Sequence, residues 1–184
     1  LPLGRYIVSE VFAPAGYVLD ETHHELALTA SDHTTPVVKA RLSAVNEFMA
    51  ARITLTKEKE IVTTQHDEDG MVHSRLMNVP GEGFVFGLFN SSVITYGNAQ
   101  KLPANTLLAT GTTDAKGNLT FSGLYPHGDY YLKEISVPDG WLLSTDKYPV
   151  TLTSANKAAS ENVITVYLDE PILNRLIYTP VTIT

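Results

Sequence analysis

The sequence contains no cysteine. That excludes disulfides, Cys-ligated zinc, iron–sulfur clusters and a thiol nucleophile. Basic charge is also scarce: 13 Lys and Arg stand against 20 Asp and Glu, a formal net charge of -7. A nucleic-acid partner needs a basic face, so none is expected. No apolar run reaches the roughly 18 residues of a membrane span, so no membrane insertion is expected in this segment. There is no Gly-rich phosphate loop and no Gly-x-Ser-x-Gly elbow, so neither nucleotide chemistry nor that hydrolase set is indicated. No cofactor and no metal are expected. Position 1 is Leu, without an initiator Met or signal peptide, so the chain reads as a piece of something longer. What is present is 184 residues, 43% of them hydrophobic. That suffices for a core and, at roughly 100–200 residues per domain, for one or two domains.

The chain repeats itself. Gly4-Arg5-Tyr6-Ile7-Val8-Ser9-Glu10 aligns with Gly128-Asp129-Tyr130-Tyr131-Leu132-Lys133-Glu134, an offset of 124 (128 − 4). The match continues through Pro14 and Gly16 over Pro138 and Gly140, with Tyr17 facing Trp141, to Leu28-Thr29 over Leu152-Thr153. A second register, offset by 128 (174 − 46), sets Val45-Asn46 over Leu173-Asn174 and Ile53-Thr54-Leu55-Thr56 over Val181-Thr182-Ile183-Thr184. The period is one domain long, which predicts a tandem array of domains rather than a solenoid of short repeats. One complete module is expected over 51–180. Residues 1–50 are expected to be the C-terminal half of a preceding module, and residues 181–184 the lead-in strand of a following one.

The local pattern reads as β. Ile53-Thr54-Leu55-Thr56-Lys57 alternates with period two, and Phe84-Val85-Phe86-Gly87-Leu88-Phe89 is aromatic and β-branched. Asp114-Ala115-Lys116-Gly117-Asn118 predicts a hairpin turn between Leu107–Thr110 and Leu119–Phe121. Tyr130-Tyr131-Leu132, Val150–Thr153 and Val163–Tyr167 complete a set of short strands, as in a sandwich or a partly open barrel. Ser154–Glu161 is a helical candidate or a polar loop, and Glu60–Pro80 a long charged loop or a solvated hairpin.

Strand parity singles out three polar residues. Lys57 shares a face with Ile53 and Leu55, Glu134 with Tyr130 and Leu132, and Asn174 with Ile172 and Leu176. Phase alone admits a plain explanation, a buried ion pair beside an amide, or a strand face wrongly assigned. It also admits a reaction. Burial lowers a lysine pKa and raises a glutamate pKa, leaving a neutral amine beside a protonated acid. Such an acid can polarise the Asn carboxamide and relay the amine proton to the leaving group. The product would be a Lys57–Asn174 amide, with one ammonia lost. Lys59 shares the parity of Lys57 and is the rival nucleophile, further from the Ile53–Leu55 pair.

The run Thr113–Leu124 leading into Gly128–Trp141 closely resembles the Cna B-type, prealbumin-like repeat domain of Gram-positive cell-surface adhesins and pilins. Gly83–Phe89 is similar to the early core strand of that domain, and Ile53–Lys57 to its opening strand. The resemblance implies an all-β, Greek-key-like (transthyretin/prealbumin-like) sandwich in tandem modules. It also implies a spontaneous isopeptide bond, with Lys57 as nucleophile, Glu134 as the assisting acid and Asn174 as acceptor. Glu10 and Asn46 match the assisting Glu and the acceptor Asn in the partial module, whose lysine would lie upstream of Leu1. A bond formed once per molecule is not turnover, so no enzyme is expected.

The implied role is a structural stalk repeat of an adhesin or pilus-associated protein, extracellular and anchored to the cell wall of a Gram-positive bacterium. Its partners would be neighbouring modules of the same protein; the alternative is an adhesin module that binds a host surface protein or glycan. Val166-Tyr167-Leu168-Asp169 departs from the Val-Tyr-Pro-Lys-like motif of polymerising pilin backbones, which favours the stalk. His23, His24 and His33 read as surface histidines, because adjacent side chains in a strand point apart. Asp67-Glu68-Asp69-Gly70 is too short for an EF-hand loop. Trp141, which replaces Tyr17, reads as a packing residue.

Overall fold

In the computed structural model, residues 1–13, 16–30, 32, 37–95, 101–153 and 163–178 are described. The candidate helix Ser154–Glu161, the segment Val181–Thr184 and His33 lie outside them. The first strands are β1 (Gly4–Val8), β2 (His24–Leu28), β3 (Ala50–His66), β4 (Val72–Pro80) and β5 (Val85–Asn90). Then come β6 (Ile94–Thr95), β7 (Lys101–Leu102), β8 (Leu107–Thr112) and β9 (Asn118–Gly123). The series ends with β10 (Gly128–Ser136), β11 (Lys147–Leu152), β12 (Val163–Tyr167) and β13 (Ile172–Asn174). Among the described residues no helix is long and apolar enough to cross a membrane.

Two sheets face each other. One has the order β11-β10-β5-β8; the other is built on β3, which pairs with β12, β13, β4 and β9. Alternation decides which side chains face inward. Ile53 and Leu55 of β3, Leu119 and Phe121 of β9, Phe86 and Leu88 of β5, and Tyr130 and Leu132 of β10 fill the space between the sheets. Each large apolar side chain buried this fully is worth about 1.5–3 kcal/mol of burial. Tyr130 keeps its hydroxyl satisfied by donating to the Pro126 carbonyl at 2.6 Å.

Two expectations change. The turn at Asp114–Asn118 does not close a hairpin, because β8 pairs with β5 while β9 pairs with β3 in the opposite sheet. Asp114 does build the turn, its Oδ1 accepting from the amides of Lys116 and Asn118 at 2.9 and 2.8 Å. The chain after the turn is taken up by β3, in register from Thr56↔Asn118 to Ala51↔Gly123. Local turn chemistry was legible; the strand that would claim β9 was not. Between the two readings of Glu60–Pro80, the structure has the hairpin. β3 and β4 stay in register from Glu58↔Pro80 to His66↔Val72 and stand off the sandwich as a ribbon.

Candidate functional site

Lys57 sits where β3 changes neighbours on both flanks. On one side β9 ends at Thr56 and β4 begins at Glu58; on the other, β12 ends at Thr54 and β13 begins opposite Lys57. The backbone is gripped between two turns: Lys57 N donates to Gly117 O at 2.7 Å, and Gly81 N donates to Lys57 O at 2.9 Å. The side chain runs inward and is 0% exposed. Its Nζ donates to Ile172 O at 2.8 Å and to Glu58 O, and lies 4.4 Å from the centre of the Phe84 ring. Burial pushes the Lys57 pKa down from 10.5 to about 8, opposed by the charges of Glu134 and then Glu58. Roughly a tenth of such an amine is neutral at pH 7. Lys59 is only partly buried, its Nζ 4.7 Å above the Trp141 ring.

Glu134 on β10 and Asn174 on β13 bond each other across the two sheets, with Glu134 near enough for its charge to act on Lys57. They are 1% and 2% exposed. Asn174 Nδ2 donates to Glu134 Oε2 at 2.7 Å and to Leu142 O at 2.6 Å. Ser144 N donates to the same Glu134 oxygen at 2.8 Å. Among the described residues, two buried side-chain oxygens have no partner: Glu134 Oε1 and Asn174 Oδ1. An orphaned buried acceptor costs about 1–3 kcal/mol, so this arrangement is high in energy as it stands.

The same bonds recur at the other end of the chain. Asn46 Nδ2 donates to both Glu10 oxygens at 2.7 Å and to Val18 O at 3.2 Å. Asp20 N donates to Glu10 Oε2 at 2.7 Å, as Ser144 N does to Glu134. Tyr6 OH donates to Pro2 O, as Tyr130 OH does to Pro126 O. The pairing Gly4↔Leu28 repeats as Gly128↔Leu152, and the bridge Tyr17↔Phe48 as Trp141↔Leu176. Glu10 and Asn46 are partly buried, less enclosed than Glu134 and Asn174.

The sequence model of the SpaA prealbumin-like fold domain matches residues 77–165. The fold is prealbumin-like. No curated protein sequence matches the chain. Among solved structures, the Bacillus anthracis TIE protein is similar over 96% of this chain, with 21% identity and a TM-score of 0.57. GBS52, the minor pilin of Streptococcus agalactiae, is similar over 76% of the chain, with 22% identity and a TM-score of 0.43. The chain spans 26% of the first of these and 50% of the second. The prealbumin-like resemblance read in Thr113–Trp141 thus stands.

Within the prealbumin-like domain, sequence parity had named Lys57, Glu134 and Asn174, and the fold brings all three to one buried place. It had not named the backbone groups that finish the site, Leu142 O, Ser144 N and Ile172 O, since nearly every residue type carries them and only proline lacks the N–H. Nor had it named Thr113 or Gly81. Gly81-Glu82-Gly83, between two strands, was the available signal. Trp141 packs edge-on against Phe84 at 6.0 Å and donates from Nε1 to Glu60 O at 2.8 Å.

Proposed function

We propose that residues 51–180 are a structural module of a Gram-positive surface or pilus-associated protein, cross-linked by an isopeptide bond between Lys57 and Asn174. One observation carries the reading. The polar atoms of Lys57, Glu134 and Asn174 are sealed in an apolar core, with the carboxamide nitrogen on Glu134 and two acceptors unpaired. The Lys57 ammonium gives a proton to Glu134, and the freed amine attacks Asn174 Cγ. Glu134 passes that proton to Nδ2, which leaves as ammonia. A second proton moves from the new amide nitrogen to Glu134. Of the three ammonium protons, one stays on the amide, one leaves in ammonia and one ends on Glu134. That last proton turns an orphaned acceptor into a donor, which the new amide oxygen can accept.

The intact mass of the folded chain is expected to fall short of the sequence mass by one ammonia, and Glu134→Ala to restore it. A digest should contain one branched peptide joining Lys57, not Lys59, to Asn174. A full sequence mass would sink the reading. Glu10 and Asn46 we assign as a second acceptor pair, for a lysine on a strand outside residues 1–50. A chain lengthened upstream by its natural sequence should lose a second ammonia, which Glu10→Ala restores; no second loss would refute the assignment. The pilin and adhesin resemblance supports a role as a stalk repeat on the cell wall, which the cross-link would suit.

A further inference from the structure

The lysine needs more than a dry pocket. A four-carbon stem with free torsions would leave its amine poorly aimed, and reaction demands a narrow geometry. We propose that Gly81, held by Thr113, is the positioning residue that aims Lys57 at Asn174; this rests on the cross-link reading above.

Two contacts place Gly81 on both parts of Lys57. Its N–H donates to the Lys57 carbonyl at 2.9 Å, fixing the backbone just where β3 exchanges β9 for β4. Its bare α-carbon faces the stem: a Cβ built there would lie 2.8 Å from Lys57 Cγ and 3.2 Å from the Phe84 ring. The conflict is with the middle of the lysine stem, not with its free end. Any side chain at 81 must therefore displace the stem, the Phe84 ring beneath the amine, or both.

Thr113 holds Gly81 in turn. It is 3% exposed, one of few polar residues in the core. Its Oγ1 donates to Gly81 O at 2.6 Å and accepts from Phe84 N at 3.0 Å. Its backbone bonds the same loop twice more, Thr113 N to Phe84 O at 3.0 Å and Gly83 N to Thr113 O at 3.1 Å. One hydroxyl thus sets both the glycine beside the lysine stem and the aromatic ring under its amine. On the same flank Gly117 closes the grip, since a Cβ there would lie 2.2 Å from Lys57 O and 3.2 Å from Gly81 N.

The test follows the linked fraction by intact mass after a short burst of cell-free synthesis, across pH 6–9. Gly81→Ala and Thr113→Val are expected to link at least about tenfold more slowly than the parent, with the half-maximal pH unmoved. Thr113→Ser, which keeps the hydroxyl, is expected within about twofold of the parent. The same substitutions in a Glu134→Ala background, where no link forms, are expected to fold with the parental circular dichroism. Linking of Thr113→Val and Gly81→Ala at the parental rate overturns the assignment. So does a shifted half-maximal pH, which would place the effect on amine ionisation. Failure of both to fold in the Glu134→Ala background also overturns it, by showing a role in the fold alone. A parent chain at full sequence mass overturns the cross-link itself, an outcome distinct from the other three.

Discussion

At the scale of the residue, the site is a matter of one proton and one face of a strand. Lys57 titrates near 8 because it is buried, so the neutral amine grows about tenfold per pH unit up to that point. The proposed step uses the ammonium proton to release ammonia, so the linking rate should hold while Lys57 is protonated and fall above about 8, read by mass against time. The same shift has a consequence for stability wherever the link cannot form, as in Asn174→Ala. Between about 8 and 10.5 the folded lysine holds fewer protons than the unfolded one, so stability rises with pH across that window. Below about 8 the penalty is constant. Urea unfolding of Asn174→Ala at pH 7 and pH 10 measures it, and Lys57→Met added to that variant should abolish the slope. Parity made the three residues legible because a period of two admits only two faces. It could not name Ile172 O or Leu142 O, which belong to the path of the chain and not to any side chain.

At the scale of the element, the long strand β3 does two separate jobs. Up to Glu60 it is core and site. There Glu60 O accepts from Trp141 Nε1, and its carboxylate accepts from Leu176 N and Tyr178 OH, both at 3.3 Å. Beyond Glu60 the ribbon with β4 exposes Val62, Leu76 and Met77, each at least half open to solvent. A lone two-stranded ribbon adds little stability in water. Replacing Ile61–Met77 by a two-residue Asn-Gly turn should leave the melting midpoint within a few degrees. Phe86→Ala, by contrast, empties a wholly buried position and should cost about 3–5 kcal/mol. Thermal unfolding of both variants in the Glu134→Ala background separates the two parts of the strand. The sequence showed where strands lie, since Val, Ile and Phe at alternate positions need a covered face. It did not show which sheet β9 joins, because a turn cluster specifies a reversal of direction and leaves the partner to tertiary packing.

At the scale of the whole molecule, the bond placement decides how the module carries load. The chain enters through β3 and departs after β13, and these two strands are parallel neighbours with Ile172 opposite Lys57. Pulling on the two ends therefore shears β3 against β13. Without a link, the stretch between Lys57 and Asn174, which are 117 positions apart (174 − 57), is free to pay out as the sandwich opens. With the link, tension would pass along β3 to Lys57 and through the amide into β13, and the strands between them in the chain would lie outside the force path. The proposed link would also remove loop entropy from the unfolded chain, worth up to ~5 kcal/mol for a loop of this size. Under shear the covalent bond matters more than that figure, because extension is blocked whatever the stability of the sheets. A single-molecule pulling experiment on the parent should show no lengthening from residues 58–173 at forces that unfold ordinary sandwiches. Glu134→Ala, unlinked but folded, should release a contour of order 400 Å at about 3.5 Å per residue. Equal extension of the two proteins would show that the load does not run through Lys57 and Asn174.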